Sequence, residues 1–139
     1  MAEDLQGLLE AAVYVGDLDA AEAFYGGTLG LERILRLEGR HVFFRCGGSV
    51  LLCFVAEETR KPPGNPDLPV PAHGAEGPGH VCFSVAGPAM DGWRQRLEGA
   101  GLEIEADFQW PNGARSIYLR DPAGNSVELA EPKLWFGEG

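Results

Sequence analysis

The chain has 139 residues, 45% of them hydrophobic and 23% charged, a composition typical of one soluble globular domain. Its formal net charge of -10 argues against binding to nucleic acid or to an anionic membrane, since both partners require a basic surface. The start carries no secretory leader pattern and no apolar run reaches about 18 residues, so we expect a cytoplasmic protein. We expect the three cysteines, at positions 46, 53 and 82, to be free thiols.

The first half of the chain predicts a strand, a helix and three further strands. Alternation over Leu9–Val15 predicts the first strand, and Asp17 can then cap a helix over Leu18–Leu29. Gly30 suits the end of this helix because glycine tolerates the left-handed conformation common there. Turn-forming residues separate the remaining strands, which we place at Glu32–Glu38, His41–Arg45 and Ser49–Val55.

Prolines recur through residues 57–78, and each of them fixes φ and lacks an amide hydrogen. We therefore predict an ordered linker here. The second half then repeats the order of elements, with a strand at His80–Val85 and a helix from Gly87 to Gly101. Its later strands are placed at Glu103–Phe108, Arg115–Arg120 and Ser126–Ala130.

This repetition predicts an α+β fold of two tandem βαβββ modules, which form a curved mixed sheet around a cleft with helices on the outer face. We expect one domain over residues 1–139, with module 1 at 8–56, the linker at 57–78, module 2 at 79–132 and a C-terminal tail at 133–139. Aligning the halves places Val42–Arg45 on Ile117–Arg120 and Gly48–Leu51 on Asn125–Glu128. The same alignment places Glu10 on His80.

Strand alternation then assigns residues to the two faces of the sheet. In the second half, Val81, Phe83, Val85, Ile117, Leu119, Val127 and Leu129 form a continuous apolar face that the helix must cover. In the first half we assign Val50 and Leu52 to the equivalent core face. Leu51 and Cys53 then fall on the cleft face.

Three side chains on the cleft face carry metal-binding chemistry. Glu10 begins the first strand, His80 begins its counterpart, and Glu128 lies in the last strand. Two carboxylates and an imidazole suit a divalent ion such as Mn, Ni, Zn, Fe or Co, and three ligands leave positions for substrate. Singly, each residue also fits a structural role, as a surface carboxylate or a hydrogen-bonded strand histidine. We expect His41 to line the cleft and His73 to lie in a solvated loop.

The chain resembles the vicinal oxygen chelate superfamily over residues 8–132. The resemblance rests on the two βαβββ modules and on four sequence runs, Asp17-Leu18-Asp19, Ala23-Phe24-Tyr25, Gly79-His80-Val81 and Asp121–Leu129. That superfamily includes glyoxalase I, fosfomycin-resistance thiol transferases, extradiol dioxygenases and bleomycin-binding proteins. It implies metal ligands at Glu10, His80 and Glu128, with a fourth position at Leu51, where leucine cannot bind a metal. It also implies a homodimer.

These observations leave several functions open. The first is a glyoxalase I-like metal-dependent enzyme acting on a small vicinal-oxygen substrate, by isomerisation, lyase or thiol-transfer chemistry. Glu10 and Glu128 are the candidate catalytic residues. The second is a metal-free small-molecule binding or resistance protein of the bleomycin-binding type, and the third is a regulatory module without chemistry. The candidate substrate contacts are His41, Phe43, Arg45, Trp110 and Tyr118.

Overall fold

The computed structural model of the chain describes residues 4–137. It divides into two compact units: the first ends at Glu76 and the second begins at Gly77. We call them the N-terminal unit and the C-terminal unit. Each contains one four-stranded mixed sheet. The two predicted βαβββ modules and the α+β class are therefore confirmed, whereas the single domain over residues 1–139 stays a prediction.

The N-terminal unit follows the predicted order of elements. Its first helix begins after Asp17, whose Oδ1 accepts a hydrogen bond from the Ala20 amide at 3.1 Å. The helix widens into a π-helical segment before Gly30, which ends it at φ 75°. The elements are β1 (Glu10–Tyr14), α1 (Leu18–Ala21), the π-helical segment Glu22–Thr28, β2 (Glu32–Leu37), β3 (His41–Cys46), β4 (Ser49–Phe54) and α2 (Ala56–Thr59).

The C-terminal unit repeats this order with a regular helix. A short 3₁₀ turn at Gly87–Ala89 leads into that helix, and a four-residue helix occupies part of the region predicted as a tail. Within residues 4–137, no helix has the length and apolar character needed to cross a membrane. The elements are β5 (His80–Ser84), α3 (Met90–Gly99), β6 (Ala106–Gln109), β7 (Arg115–Arg120), β8 (Ser126–Ala130) and α4 (Lys133–Phe136).

The two sheets have the same topology. Their strand orders are β1-β4-β3-β2 and β5-β8-β7-β6. In each sheet the first strand pairs in parallel with the last, and the other pairs are antiparallel. The edge strands that begin with Glu10 and His80 thus occupy equivalent places, as the repeat alignment predicts.

The predicted core of the C-terminal sheet is largely confirmed. The side chains of Ile117, Leu119 and Val127 are fully buried, and Arg94 of α3 reaches Asp107 on the same face of the sheet. The helix therefore covers this face, where burial of apolar area stabilises the fold. Val81 and Phe83, on the edge strand, are only half-buried.

The predicted faces of β4 are wrong by one residue. Leu51 pairs with Phe44 and with Ala11, so it lies on the face that the helix covers. Leu52 pairs with Phe43 and with Ala12, so it lies on the same face as Glu10. Of the two leucines, Leu52 is therefore the one that stands where the C-terminal sheet has Glu128.

A difference in turn length explains this error. Arg45 pairs with Val50, five residues later, whereas Arg120 pairs with Ser126, six residues later. The second turn is thus longer by one residue, whereas the repeat alignment allowed two extra residues there and so matched Leu51 instead of Leu52 to Glu128. Because strand side chains alternate, a slip of one residue moves every side chain of the strand to the other face.

The proline-rich segment holds a second departure from the sequence prediction. His73 was expected in a solvated loop, but its Nδ1 lies 2.7 Å from the Tyr14 hydroxyl, and its ring meets Phe54 with centroids 4.8 Å apart. Its amide also donates to the Thr59 carbonyl at 2.9 Å. This part of the segment is therefore packed against the sheet of the N-terminal unit.

Candidate functional site

Glu128 is the centre of a polar cluster on the C-terminal sheet. It lies in the middle of β8, between Cys82 on β5 and Tyr118 on β7, and it is only 5% exposed. Its Oε2 accepts a hydrogen bond of 2.6 Å from the Ser116 hydroxyl. The Tyr118 hydroxyl and the Cys82 thiol also hydrogen-bond to it. These donors compensate the carboxylate for the water that burial removes.

His80 begins β5, and both of its ring nitrogens have polar neighbours. Nδ1 lies 3.1 Å from the Ser126 carbonyl oxygen, and Nε2 lies 3.3 Å from Oε1 of Glu128. Nδ1 also lies 3.3 Å from the Ser126 hydroxyl oxygen, which can donate as well as accept. With the ring hydrogen on Nδ1, the Nε2 lone pair faces a carboxylate oxygen, and the contact is favourable only when a proton or a cation lies between the two atoms. With the ring hydrogen on Nε2, the ring donates directly to Glu128.

The cluster changes the acidity of two neighbouring side chains. Desolvation, the negative charge of Glu128 and a hydrogen bond to it raise the pKa of the Cys82 thiol to about 12. The same causes, again led by desolvation, raise the pKa of the Tyr118 hydroxyl to about 12. Both groups therefore stay protonated at neutral pH and act as hydrogen-bond donors.

Aromatic rings border the cluster. Tyr118 stacks on Phe108 with ring centroids 5.9 Å apart, and it also lies nearly parallel to the His80 ring at 6.2 Å. Phe108 meets Trp110 edge to face at 4.9 Å. The Trp110 indole donates to Ser116 Oγ at 2.8 Å. These rings combine apolar surface with a few placed polar groups, as small-molecule sites do.

The remaining predicted site residues lie on one face of the N-terminal sheet. Strand register places Glu10, His41, Phe43 and Arg45 on that face. His41 stacks on Phe43 at 4.2 Å, and burial together with the Arg40 charge lowers the pKa of its imidazole. Arg45 is exposed, with its Nε 3.5 Å from Glu32.

The donor chemistry of the cluster fits a metal ion in part. Among residues 4–137, no three Asp, Glu, His or Cys side chains are grouped so that they could hold one. The pair of His80 and Glu128 supplies two donors, however. Two ligands bound at about 2.1 Å to one tetrahedral or octahedral ion lie about 3.0–3.4 Å apart, which matches the observed 3.3 Å. Each ligand is also held through its other polar atom, as metal ligands usually are.

Three residues around the His80–Glu128 pair have no role in the sequence prediction. Cys82 and Ser116 were assigned to the correct face but given no function, and Ser126 was not considered for the site. Alternation could identify the face of Ser116, but not its two hydrogen bonds, because those depend on the rotamers of Trp110 and Glu128.

Taken together, the fold and the cluster define a two-module α+β protein with a histidine–glutamate pair on one sheet. The chain belongs to the Glyoxalase/Bleomycin resistance protein/Dioxygenase superfamily, which matches its residues 7–129. The resemblance inferred from the sequence is thereby confirmed. Among curated proteins, no match was found.

Solved structures give the same assignment. A lactoylglutathione lyase from Agrobacterium tumefaciens is 46% identical, with a TM-score of 0.90, and the match covers 96% of this chain and 98% of that one. A glyoxalase/bleomycin resistance protein/dioxygenase from Nocardioides is 26% identical, with a TM-score of 0.70 and coverages of 92% and 84%. A glyoxalase-related enzyme from Fulvimarina pelagi, 24% identical with a TM-score of 0.70 and coverages of 94% and 91%, shares the fold.

Proposed function

We propose that this protein is a metal-dependent enzyme of the glyoxalase I type, acting on a small substrate with oxygens on neighbouring carbons. The observation that carries the proposal is the pair formed by His80 Nε2 and Glu128 Oε1, 3.3 Å apart, with both side chains held by second hydrogen bonds. The 46% identity to a lactoylglutathione lyase supports the reaction class.

The proposed substrate is the adduct of a thiol such as glutathione with a 2-oxoaldehyde. Its conversion to a 2-hydroxy thioester moves a proton between two adjacent carbons that both carry oxygen. Thiol transfer to another small electrophile is the alternative reaction. Both need a site that stabilises negative charge on oxygen next to the reacting carbon.

The proposed metal ligands are His80 and Glu128, with Glu10 as the third, and the ion is Mn, Ni, Zn, Fe or Co. Such an ion would act as a Lewis acid toward the two substrate oxygens. Glu10 is exposed on the edge strand β1, so its carboxylate is available to accept and return a proton. Glu128 has one oxygen bound to Ser116 and keeps the other directed at His80.

The substrate contacts follow from the chemistry of each side chain. Tyr118 and Trp110 would form apolar walls beside the His80–Glu128 pair. We keep His41, Phe43 and Arg45 as proposed contacts from the N-terminal sheet. There the stacked rings suit an apolar group, and the exposed guanidinium suits a substrate carboxylate.

A metal-free binding protein of the bleomycin-resistance type is the second candidate. The observation that favours it is the apolar character of the N-terminal sheet, where Leu52 stands at the counterpart of Glu128 and Phe43 at the counterpart of Tyr118. Such a face can bind an aromatic compound without a metal. The net charge of -10 would suit a cationic ligand.

Metal analysis separates the two candidates. Protein purified without chelator or affinity tag is analysed for metal and assayed with the adduct of methylglyoxal and glutathione. We expect stoichiometric metal and turnover, both lost in Glu128→Gln and kept in Glu103→Gln, which changes an exposed carboxylate. Metal-free wild-type protein that binds an aromatic cation and gives no turnover would refute the enzyme and support the binding protein.

We also propose that the protein is a homodimer, as the superfamily resemblance implies, and that it is located in the cytoplasm. Light scattering during size-exclusion chromatography measures the mass of the particle directly. A mass near twice 14.9 kDa is expected, and a monomer at micromolar concentration would contradict the proposal.

A further inference from the structure

A chain of two hydrogen bonds lies behind Glu128. The Trp110 indole nitrogen donates to Ser116 Oγ at 2.8 Å, and Ser116 Oγ donates to Glu128 Oε2 at 2.6 Å. The direction of both bonds is fixed. An indole N–H can only donate, so Ser116 accepts from Trp110 and its own hydrogen is left for the carboxylate.

Because both partners are buried, losing the hydrogen bond between Ser116 and Glu128 would be unfavourable. Ser116 has no exposed surface and Glu128 is 5% exposed, so water has little access to either end of the shorter bond. A hydrogen bond to a carboxylate is shorter and stronger than one between neutral groups, and 2.6 Å agrees with that. Without the Ser116 hydroxyl, Oε2 would lose a partner in a dry environment.

The backbone around Trp110 fixes the position of the indole. The Trp110 amide donates to the Ala114 carbonyl, and the Gly113 amide donates to the Trp110 carbonyl, both at 2.8 Å. Gly113 has a φ of 86°, a conformation that favours glycine, so the turn between β6 and β7 is tight. Phe108 packs against the indole ring edge to face. The donor is therefore held in place before any substrate arrives.

We propose that Ser116 and Trp110 are positioning residues for the candidate metal site. They hold Oε2 of Glu128 and so keep Oε1 directed at His80 Nε2. Ser126 does the same for the other ligand, because its carbonyl and hydroxyl oxygens both lie within hydrogen-bonding distance of His80 Nδ1. This inference rests on the proposed function. It gives the Trp110 indole N–H a task distinct from the wall that its ring provides.

The test uses Mn²⁺ alone as the probe, with the free ion measured by electron paramagnetic resonance in the full-length protein. Ser116→Ala should weaken Mn²⁺ binding roughly 10- to 100-fold, the usual effect of removing a partner that orients a ligand. Trp110→Phe keeps an aromatic ring without the N–H and should weaken binding less, about 3- to 10-fold.

The double variant gives the decisive comparison. If Trp110 acts through Ser116, adding Trp110→Phe to Ser116→Ala should change the affinity by less than about twofold. Effects that multiply would contradict the proposed chain, as would Ser116→Ala protein that binds Mn²⁺ as well as the wild type. Thr59→Val removes another buried hydroxyl, which bonds to the Ala56 carbonyl, and should leave Mn²⁺ binding unchanged.

Nuclear magnetic resonance tests the hydrogen bond between Trp110 and Ser116 without metal. The indole ¹H–¹⁵N resonance that disappears in Trp110→Phe belongs to Trp110. In Ser116→Ala it should shift upfield and exchange faster with water, and an unchanged resonance would contradict the hydrogen bond.

If the wild-type protein binds no Mn²⁺, the proposed metal function is refuted. Crystal structures of the wild type and of Ser116→Ala then test whether Ser116 orients Glu128. A separation between His80 Nε2 and Glu128 Oε1 that grows beyond 3.3 Å in Ser116→Ala supports the positioning role, and an unchanged separation refutes it.

Discussion

The two units share a topology and differ in the chemistry of one sheet face. In the C-terminal unit that face carries a buried carboxylate surrounded by donors. In the N-terminal unit the same register positions are mostly apolar or aromatic. The equivalent pairs are Glu10 and His80, Ala12 and Cys82, His41 and Ser116, Phe43 and Tyr118, and Leu52 and Glu128. The repeated scaffold thus carries a polar, hydrogen-bonded face in one copy and a largely apolar face in the other.

The two sheets differ in the hydrogen-bond donors around this central position. Glu128 receives hydrogen bonds from Ser116, Tyr118 and Cys82. The positions that flank Leu52 hold Phe43 and Ala12, which have no side-chain donors. A charge at Leu52 would be buried without compensation.

On the faces that the helices cover, equivalent positions of the two sheets carry opposite charges. Arg36 of β2 donates to Glu22 of the π-helical segment at 3.1 Å. Asp107, at the equivalent register position of β6, accepts from Arg94 of α3 at 2.6 Å. Each unit therefore joins helix to sheet by a charge pair, with cation and anion exchanged. The interaction is maintained although the residues differ.

The largest expected effect comes from giving the C-terminal unit the residue of the N-terminal unit. In Glu128→Leu, metal-dependent turnover should fall on the order of 1,000-fold because charge stabilisation at the reacting oxygens is lost. Stability should change by less than about 1.5 kcal/mol, since an apolar group often replaces a buried charge at little cost. Kinetics and urea unfolding measure the two effects. Turnover within tenfold of wild type would contradict the role of Glu128.

The reverse exchange tests whether the donors matter. Leu52→Glu should lower the free energy of unfolding by about 3 kcal/mol, because Leu52 is 8% exposed and its neighbours cannot donate. Leu52→Met, which nearly conserves volume, should cost less than about 1.5 kcal/mol. Urea unfolding compares the variants. A loss below about 1 kcal/mol in Leu52→Glu would show that the N-terminal face accepts a carboxylate as readily as the C-terminal one.

The ion pair of the C-terminal unit should give a pH-dependent effect. Hydrogen bonds from Arg115, and then from Arg94, lower the pKa of Asp107 despite its burial. Asp107→Asn should therefore cost about 2 kcal/mol at pH 7. That stabilisation is present above the unfolded-state pKa of about 3.9, and it is lost as the pH falls through the lower folded-state value.

Urea unfolding between pH 7 and pH 2 measures this dependence. Asp91→Asn is the matched control, since Asp91 also bonds to Arg115 but its side chain is 85% exposed, and it should cost less than about 0.5 kcal/mol. An Asp107→Asn cost that stays constant down to pH 2 would contradict the assigned pKa direction.

The smallest expected effect compares the helices. A Cβ on Gly26 in the π-helical segment would lie 3.2 Å from Phe44, which is fully buried, whereas one on Gly92 in α3 would meet nothing within 4 Å. Gly92→Ala should stabilise by about 0.5–1 kcal/mol through helix propensity. Gly26→Ala should give no gain, because the crowding offsets that term. Thermal unfolding distinguishes them, and equal gains would contradict close packing at Gly26.

The sequence was sufficient to predict the order of the strands and of the helix after the first strand of each module, because strand alternation, the Asp17 cap and the turn glycines all act locally. It also identified His80 and Glu128 as residues of one sheet face. It did not predict the short helices α2 and α4. It misassigned Leu51 because allowing one residue too many in a turn shifts the register of the next strand, and the apolar run Val50–Phe54 fits either register. The contact of His73 with Tyr14 and the Trp110–Ser116 bond join residues through side-chain packing, which periodicity does not encode.

The central claim is that His80 and Glu128 bind one divalent ion. A crystal structure with Mn²⁺, using the anomalous signal of the metal, tests it most directly. We predict an anomalous peak about 2.0–2.3 Å from both His80 Nε2 and Glu128 Oε1. At saturating Mn²⁺, a direct contact between those two atoms with no peak beside them would contradict the claim.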